Sequence, residues 1–288
     1  MNSFEYIFSK QVSWAQNQGM DLIGSKGLRG RPAYTNTLDE NLFEPLAQSV
    51  IKDFNAGDGG ELNGTTGSPP KMHAVHSSSS LGVNIFHYWL QINQIPKIAA
   101  ACRLCNRNNT VSQKIRFEKK YPISSKFQFS PNIDVVIENS KKSKYKIFAV
   151  ECKFSEAYSS RRHAGIDAKY IKLENIWDDI PNLLGFAKTI SPDDYEFFHL
   201  HPAQLVKHIL GLKNQFGKDS FRLLYLWYDV LGHDGAVHRN EIDTFSKVAK
   251  SDGIKFHALS YQDLIIKLSK ESRIEHPEYI HYVSERYL

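Results

Sequence analysis

Three charged residues lie in two apolar segments where a strand of the core would carry Val or Ile. Asp134 lies within Asn132–Glu138, and Glu151 and Lys153 lie within Ile147–Phe154. Because burying a charge without a partner is costly, these residues need a chemical explanation. Two carboxylates repel each other unless a cation lies between them, and hard oxygen ligands of this kind suit Mg²⁺. A lysine beside them can orient or deprotonate a water, or stabilise charge that develops on a phosphate.

Both segments are predicted to be strands, because they are rich in β-branched and aromatic residues and are bounded by Ser, Pro and Lys clusters. In an antiparallel hairpin the numbers of facing residues have a constant sum. A turn at 141–143 gives a sum of about 285, which places Asp134 opposite Glu151. Glu151 and Lys153 are two residues apart, so they share a face of their strand.

The preceding strand supplies a third carboxylate to the same patch. Residues 113–118 alternate between polar and apolar, and a turn near Lys126 gives a sum of about 252, which places Glu118 opposite Asp134. The structural alternative is a set of ion pairs on a solvated strand face, because an Asp followed by Glu-x-Lys is short enough to recur by chance.

Length and composition are those of an ordinary soluble protein. The 288 residues carry a net charge of +5, which permits nucleic acid as a partner without requiring it. Residues 1–37, with a Gly-rich basic loop at 24–32, are predicted to be an N-terminal extension, and residues 38–288 a single domain. No apolar run reaches the length of a membrane span, and no export signal opens the chain, so a cytoplasmic location is expected. Three cysteines do not make a disulfide framework.

The remaining elements alternate between helices and strands, which favours an α/β architecture. The predicted helices and strands are a helix at 39–54, a capped buried helix at 77–90, a helix at 98–105, a helix at 201–210, a buried strand at 221–229, a helix from about 238 to 251, a strand at 254–259 and a helix from 261. Gln204, Lys207 and His208 share one face of their helix. The Gly-rich loop at 55–70 has no Lys-Ser/Thr after its glycines and is not a nucleotide phosphate loop.

Three polar groups outside the strands have both a functional and a structural interpretation. Asn84, His87 and Gln91 either line a site or form a hydrogen-bonded seam in the core. The pairs His73/His76 and Cys102/Cys105 have spacings that zinc tolerates, although buried cysteines are the favoured interpretation. Arg161 and Arg162 either contact a phosphate backbone or belong to a solvated loop.

The order of these elements, with Pro131-Asn132-Ile133-Asp134 on the second of three antiparallel strands and Glu151-Cys152-Lys153 on the third, resembles the PD-(D/E)xK nuclease superfamily, the restriction-endonuclease-like fold. The serine-led helix at 77–86, the Phe117-Glu118 strand and the Gln204 helix resemble a group of bacterial restriction-endonuclease-like proteins. This similarity covers roughly residues 40 to 265. It implies a restriction-endonuclease-like α/β core with a central mixed sheet of four to five strands flanked by helices.

The resemblance also implies roles for individual residues. Asp134 and Glu151 would bind Mg²⁺, for which Mn²⁺ can substitute, and Glu118 would be an auxiliary metal-binding acid. Lys153 would position the attacking water, and Gln204 would steady the site from its helix. Many members carry an extra Glu on the helix before the first strand, where this chain has Asn84 and Gln91. Three alternatives are open for this missing acid: Glu118 supplies the charge, the predicted helix with Glu40 and Glu44 supplies it, or the site works with fewer acids.

The implied activity is that of an endonuclease, a metal-dependent hydrolase that cleaves phosphodiester bonds of DNA, with restriction in host defence as the expected role. Repair and mobile-element processing are alternatives within the same fold. A catalytically silent module that binds DNA or RNA, and a structural partner in a toxin or defence complex, are alternatives of other classes. A homodimer is an open expectation, and no membrane partner is expected.

Overall fold

The fold is built around one mixed sheet in a computed structural model that describes residues 2–25, 30–65, 67–160 and 162–288. The strands are β1 (Ile23–Gly24), β2 (Pro32–Tyr34), β3 (Ser112–Lys120), β4 (Asn132–Asn139), β5 (Ile147–Lys153), β6 (Phe221–Trp227) and β7 (Phe256–Ser260). The helices are α1 (Ser3–Asn17), α2 (Gln48–Ala56), α3 (Ser78–Gln91), α4 (Ile95–Ala101), α5 (Ala168–Ile171), α6 (Pro181–Thr189), α7 (Pro202–Phe216), α8 (His233–Ser251), α9 (Tyr261–Ser272) and α10 (Pro277–Tyr287).

The central sheet has the strand order β3-β4-β5-β6-β7, beside a separate β1–β2 pair. β3, β4 and β5 pair antiparallel, whereas β6 and β7 continue the sheet in parallel. The parallel pairs require long connections, and these are helical: α5 to α7 lie between β5 and β6, and α8 lies between β6 and β7. The predicted α/β fold with a mixed sheet of four to five strands is confirmed.

The register of the three antiparallel strands agrees with the prediction from the turns. The β4–β5 pairs, which begin at Val135, keep the sum of 285 throughout. The β3–β4 pairs keep the sum of 252 from Lys114 to Lys120, with one irregularity before Lys114. Glu118 and Asp134 therefore occupy facing positions on neighbouring strands.

Helices cover both faces of the sheet. A Cβ at Gly82 of α3 would lie 3.4 Å from the Cys152 Sγ, which places α3 against the face that carries Cys152. Glu151, one residue earlier, points to the opposite face, where α7 lies. The N-terminus of α3 is capped by Ser77, whose side chain accepts the Ser80 N–H, as expected from the serine run.

The predicted helix at 39–54 is wrong in its first half. A 3₁₀ turn at Asp39–Asn41 is followed by irregular chain, and α2 begins only at Gln48. Pro45 disfavours helical backbone at the residue before it. The Asn41 side chain also donates to two backbone carbonyl oxygens of the chain before α3, which holds this segment in an irregular path.

Boundaries of other elements also differ from the prediction. α4 begins at Ile95, because Pro96 occupies its first turn, and it ends before Cys102 rather than at 105. α8 begins at His233, five residues before the predicted start. β7 runs from Phe256 to Ser260 instead of 254 to 259.

The N-terminal segment lies against the C-terminal helix. Gln11 of α1 donates to the Arg286 carbonyl oxygen at 2.9 Å and accepts from the Arg286 guanidinium at 3.1 Å. Both side chains are fully buried. The division of the chain at residue 37 stays a prediction, and residues 26–29 of the predicted 24–32 loop lie outside the described residues. Within the described residues, no helix is both long enough and apolar enough to cross a membrane.

Candidate active site

A cavity of about 570 Å³ opens at the end of the sheet where β3 and β5 finish and β4 begins. Four of the five predicted site residues line it, namely Glu118, Asp134, Lys153 and Gln204. The fifth, Glu151, is fully buried beside them. The other lining residues are Asp58, Glu61, Ser78, Ser79, Phe129, Ser130, Pro131, Asn132, Cys152, Glu156, His201, Lys207 and His208.

Glu151 is held by two cationic or potentially cationic partners. Its Oε1 lies 2.6 Å from the Lys153 Nζ, and its Oε2 lies 2.7 Å from the His208 Nε2. Burial raises the pKa of the Glu151 carboxyl, but Lys153 and His208 outweigh that effect and hold the pKa at about 2. Glu151 is therefore ionised, and both of its oxygens already have a neighbour.

Lys153 connects Glu151 to the helix above the sheet. Its Nζ donates to the Gln204 Oε1 at 3.0 Å, which links the lysine to α7. Burial lowers the pKa of Lys153, but Glu151, Glu156 and Asp134 reverse that effect and raise it. The side chain is an ammonium fixed between an amide and a carboxylate, at the wall of the cavity.

Asp134 is the third residue of β4 and directly precedes Val135, the first β4 residue that pairs with β5. Its Oδ2 accepts the Cys152 N–H at 2.7 Å, which ties the two strands together through a side chain. Burial, followed by the negative charges of Glu151 and Glu118, raises the pKa of Asp134 well above its usual range. The second oxygen of this carboxyl remains for a ligand in the cavity.

Glu118 has left-handed backbone, with φ of 49°, although it lies within β3. Its Oε2 accepts from the Asn132 side chain at 3.1 Å. Burial, then the charges of Glu61 and Glu151, raise the pKa of Glu118 to about 7. A non-glycine residue in this conformation costs free energy and is typical of functional positions.

Two residues that act directly on the predicted acids were missed by the sequence analysis. Glu61 comes from the Gly-rich loop at 55–70 and lies close enough to affect the pKa of Glu118. Nothing in the periodicity of that loop distinguishes it. His208 was placed on the same helix face as Gln204, and this i, i+4 spacing was the available signal, but its role as the partner of Glu151 was not predicted.

Asn84 and His87 of the polar stripe on α3 form a seam in the core, whereas Gln91 is exposed, and none of the three is among the described lining residues of the cavity. Asn84 accepts the Phe43 N–H and donates to the Asn41 carbonyl oxygen and the Tyr287 hydroxyl. His87 accepts the Ala47 N–H at 3.2 Å. The predicted helix with Glu40 and Glu44 also contributes no acid, because neither residue is among the described cavity-lining residues.

The zinc interpretation of the cysteines and histidines is not supported. His73 contacts the Thr35 carbonyl oxygen, whereas Cys102 is fully buried behind α4 and β7, where its own carbonyl oxygen contacts the His257 ring. No set of three or more His, Cys, Asp or Glu residues in the described part of the chain forms a ready ion site. Arg161 lies outside the described residues, and the exposed Arg162 lies over the Tyr195 ring.

The donor set of the cavity fits a divalent cation through its chemistry. Glu118 and Asp134 line the same space, and the negative charge of Glu151 contributes to the raised pKa of both carboxyls. A cation between them would offset the repulsion among these acids. Carboxylate oxygens are the ligands that Mg²⁺ prefers. Glu151 would have to share its oxygens with Lys153 and His208 in order to join them.

The antiparallel β3–β5 strands, the parallel extension, and the Asp and Glu-x-Lys residues at one sheet end define a restriction-endonuclease-like protein. The chain belongs to the family described as restriction endonuclease associating with ARP, whose family model matches residues 9–288. This membership assigns it a nuclease-like role. Searches of curated proteins and of solved structures give no match.

Proposed function

We propose that this protein is a Mg²⁺-dependent endonuclease that hydrolyses phosphodiester bonds of DNA, as a restriction-type enzyme in host defence. One observation carries the proposal: Asp134 and Glu118 face each other in one cavity, with the Lys153 ammonium at its wall. A module that only binds a polyanion gains nothing from buried acids that repel the ligand and each other.

Asp134 and Glu118 would hold the metal, with Glu151 as a third ligand. Bound Mg²⁺ supplies a Lewis acid for a phosphoryl oxygen and lowers the pKa of its water. Lys153 donates to the phosphoryl oxygen on which negative charge develops, and its contact with Gln204 sets the direction of the ammonium. His208 keeps the Glu151 carboxylate in place from beneath.

The surroundings of the cavity supply groups for a nucleic-acid strand. The lining includes Lys207, which is partly exposed, and Phe129, whose side chain is 68% exposed. An exposed aromatic ring beside cations is typical of surfaces on which bases stack.

The test is cleavage of supercoiled plasmid DNA with Mg²⁺, by the wild type, by Lys153→Ala and by Lys114→Ala. Lys114 is an exposed lysine on β3 and serves as the matched control. We expect cleavage by the wild type and the control and its loss in Lys153→Ala. Equal cleavage by all three would contradict the proposal, and so would binding of DNA without cleavage by the wild type across several metals and DNA sequences. The same assay with RNA decides the substrate.

A catalytically silent nucleic-acid-binding module is the second candidate, and one observation favours it. The two oxygens of Glu151 are paired with Lys153 and His208, so the carboxylate is not available as an unpaired metal ligand. Under this candidate the protein binds DNA equally well with Mg²⁺ and with a chelator. The nuclease proposal expects Mg²⁺ to strengthen the binding of a DNA substrate by Lys153→Ala.

A further inference from the structure

A second cavity of about 270 Å³, here called the histidine cavity, lies next to the candidate active site and shares Lys153, Glu156 and His201 with it. Its remaining lining residues are Ala157, Ser159, Arg162, His163, Ala164 and His199. Because a water molecule occupies about 30 Å³ of liquid, this space has room for a tetrahedral oxyanion. The main cavity is rich in carboxylates, whereas this one is rich in groups that carry N–H.

Two imidazoles form the centre of the histidine cavity. The rings of His163 and His201 are stacked with centroids 4.6 Å apart and planes inclined by 16°. The His163 Nε2 is buried and has no hydrogen-bond partner within the described residues. Burial, then the neighbouring His163 and Lys153, lower the pKa of His201 to about 3. The His201 imidazole is therefore neutral at neutral pH and has one N–H to donate.

The segment that leads into His201 is fixed without a ligand. The Glu241 carboxylate of α8 accepts the N–H groups of Phe198, His199 and Leu200 at 2.6, 3.0 and 2.8 Å. This contact holds the chain that leads into His201 at the start of α7. On the other side, Arg162 lies over the Tyr195 ring at 5.4 Å, which positions its guanidinium at the rim.

Glu156 is the one acid among the described lining residues of the histidine cavity. Its Oε2 accepts the Phe154 N–H at 3.3 Å, so part of its hydrogen-bonding capacity is used by the backbone. The same cavity contains the Lys153 ammonium, the Arg162 guanidinium and the imidazole N–H groups, all of which attract an anion. The balance of the cavity therefore favours an anion.

We propose that the histidine cavity binds a phosphate group of the substrate strand, next to the phosphodiester that Lys153 faces, with Arg162, His163 and His201 as donors. Arg162 supplies the charge, and the imidazoles donate N–H bonds that fix the position of the phosphate. The assignment to a substrate strand rests on the proposed function, whereas the affinity for phosphate does not. The phosphate is either an internal phosphodiester or a terminal phosphate, and the chemistry of recognition is the same.

The first test uses inorganic phosphate and the full chain without metal or DNA. Histidine-ring NMR signals of His163 and His201 are expected to shift as phosphate is added, in a saturable manner. His281, which is exposed on α10, serves as the control and is expected not to shift. Absence of a shift at His163 and His201, or a shift of the same size at all three, would overturn the subsite whether or not the protein is a nuclease.

The second test identifies the source of the phosphate. Fluorescence anisotropy in a chelator compares oligonucleotides with a 5′-phosphate and a 5′-hydroxyl, bound to wild type, His163→Gln, His201→Gln and His281→Gln. Loss of one charge-assisted contact is expected to weaken binding about tenfold in the first two variants and not in the third. An equal loss for both oligonucleotides assigns an internal phosphodiester, and a loss confined to the phosphorylated one assigns the terminus. Unchanged binding of both oligonucleotides by both variants would refute the proposal.

Discussion

Replacing Glu118 by glutamine should make the protein more stable at neutral pH while it removes a proposed metal ligand. Burial and the charges of Glu61 and Glu151 raise the pKa of Glu118 from 4.5 to about 7. Between these two values the folded protein retains a proton that the unfolded chain has released. The free energy of unfolding of the wild type therefore falls as the pH rises through this window.

The size of the effect follows from the shift. A difference of 2.5 pKa units, at about 1.36 kcal/mol per unit, is at most about 3 kcal/mol above pH 7. Glu118→Gln removes this penalty and retains the acceptor for Asn132, because the amide oxygen can accept the same hydrogen bond. We expect the variant to approach a gain of this size at pH 8 and to gain little at pH 4.

The assay is urea denaturation of the wild type and the variant at pH 4 and pH 8, in a chelator and then in Mg²⁺. Mg²⁺ should stabilise the wild type, because a ligand that binds only the folded state raises its stability, and should stabilise Glu118→Gln less. Glu174→Gln makes the same chemical change at an exposed position and controls for charge alone. The reasoning is refuted if Glu118→Gln is no more stable than the wild type at pH 8, or if Mg²⁺ stabilises both equally.

Further predictions concern a buried ion pair, the packing of two helices and a buried histidine outside the cavity. His208→Ala removes the partner that lies 2.7 Å from the buried Glu151 Oε2, leaves only Lys153 on the other oxygen, and should lower the free energy of unfolding by about 3–5 kcal/mol. A loss near zero in urea denaturation would show that His208 and Glu151 are not coupled. Gly211→Ala places a Cβ 2.4 Å from the Tyr121 carbonyl oxygen and should cost about 1–3 kcal/mol and reduce cleavage, by displacing α7. Gly185→Ala in α6, where the Cβ meets nothing within 4 Å, should be neutral or stabilising by up to about 1 kcal/mol, and a loss at both positions of similar size would contradict this reasoning. Burial lowers the pKa of His76 from 6.5 to about 4, so the unfolded chain takes up a proton before the folded protein does as the pH falls. The free energy of unfolding should therefore drop by up to about 3 kcal/mol between these two pH values. His76→Leu should flatten this part of the pH–stability curve, and an unchanged slope would exclude His76 as its source.

The register of the site could be predicted from the sequence, because short turns fix which residues face each other. The sums of 285 and 252 placed Glu118, Asp134 and Glu151 on neighbouring positions, and the ladders have that register. Facing residues on neighbouring strands point their side chains to the same face of the sheet, which puts all three on one face. These constraints are local in the chain, so sequence spacing is sufficient to read them.

Contacts between distant segments could not be predicted in this way. Glu61 reaches the cavity from a loop without periodicity, and the His208 ring meets Glu151 only because α7 crosses β5 after a long connection. The interpretation of Asn84 stayed open for the same reason, since its partners include Tyr287 at the end of the chain. Periodicity shows which face of an element is polar but does not identify the element that covers it.

The position of the metal is the most direct test of the account. Crystals soaked in Mn²⁺ and measured at the manganese absorption edge would locate the ion by its anomalous signal. We predict a peak between the Asp134 and Glu118 carboxylates, within reach of Glu151, which disappears in Asp134→Asn. No peak in this cavity, or a peak that persists unchanged in the variant, would contradict the assignment of these acids as the metal site of a nuclease.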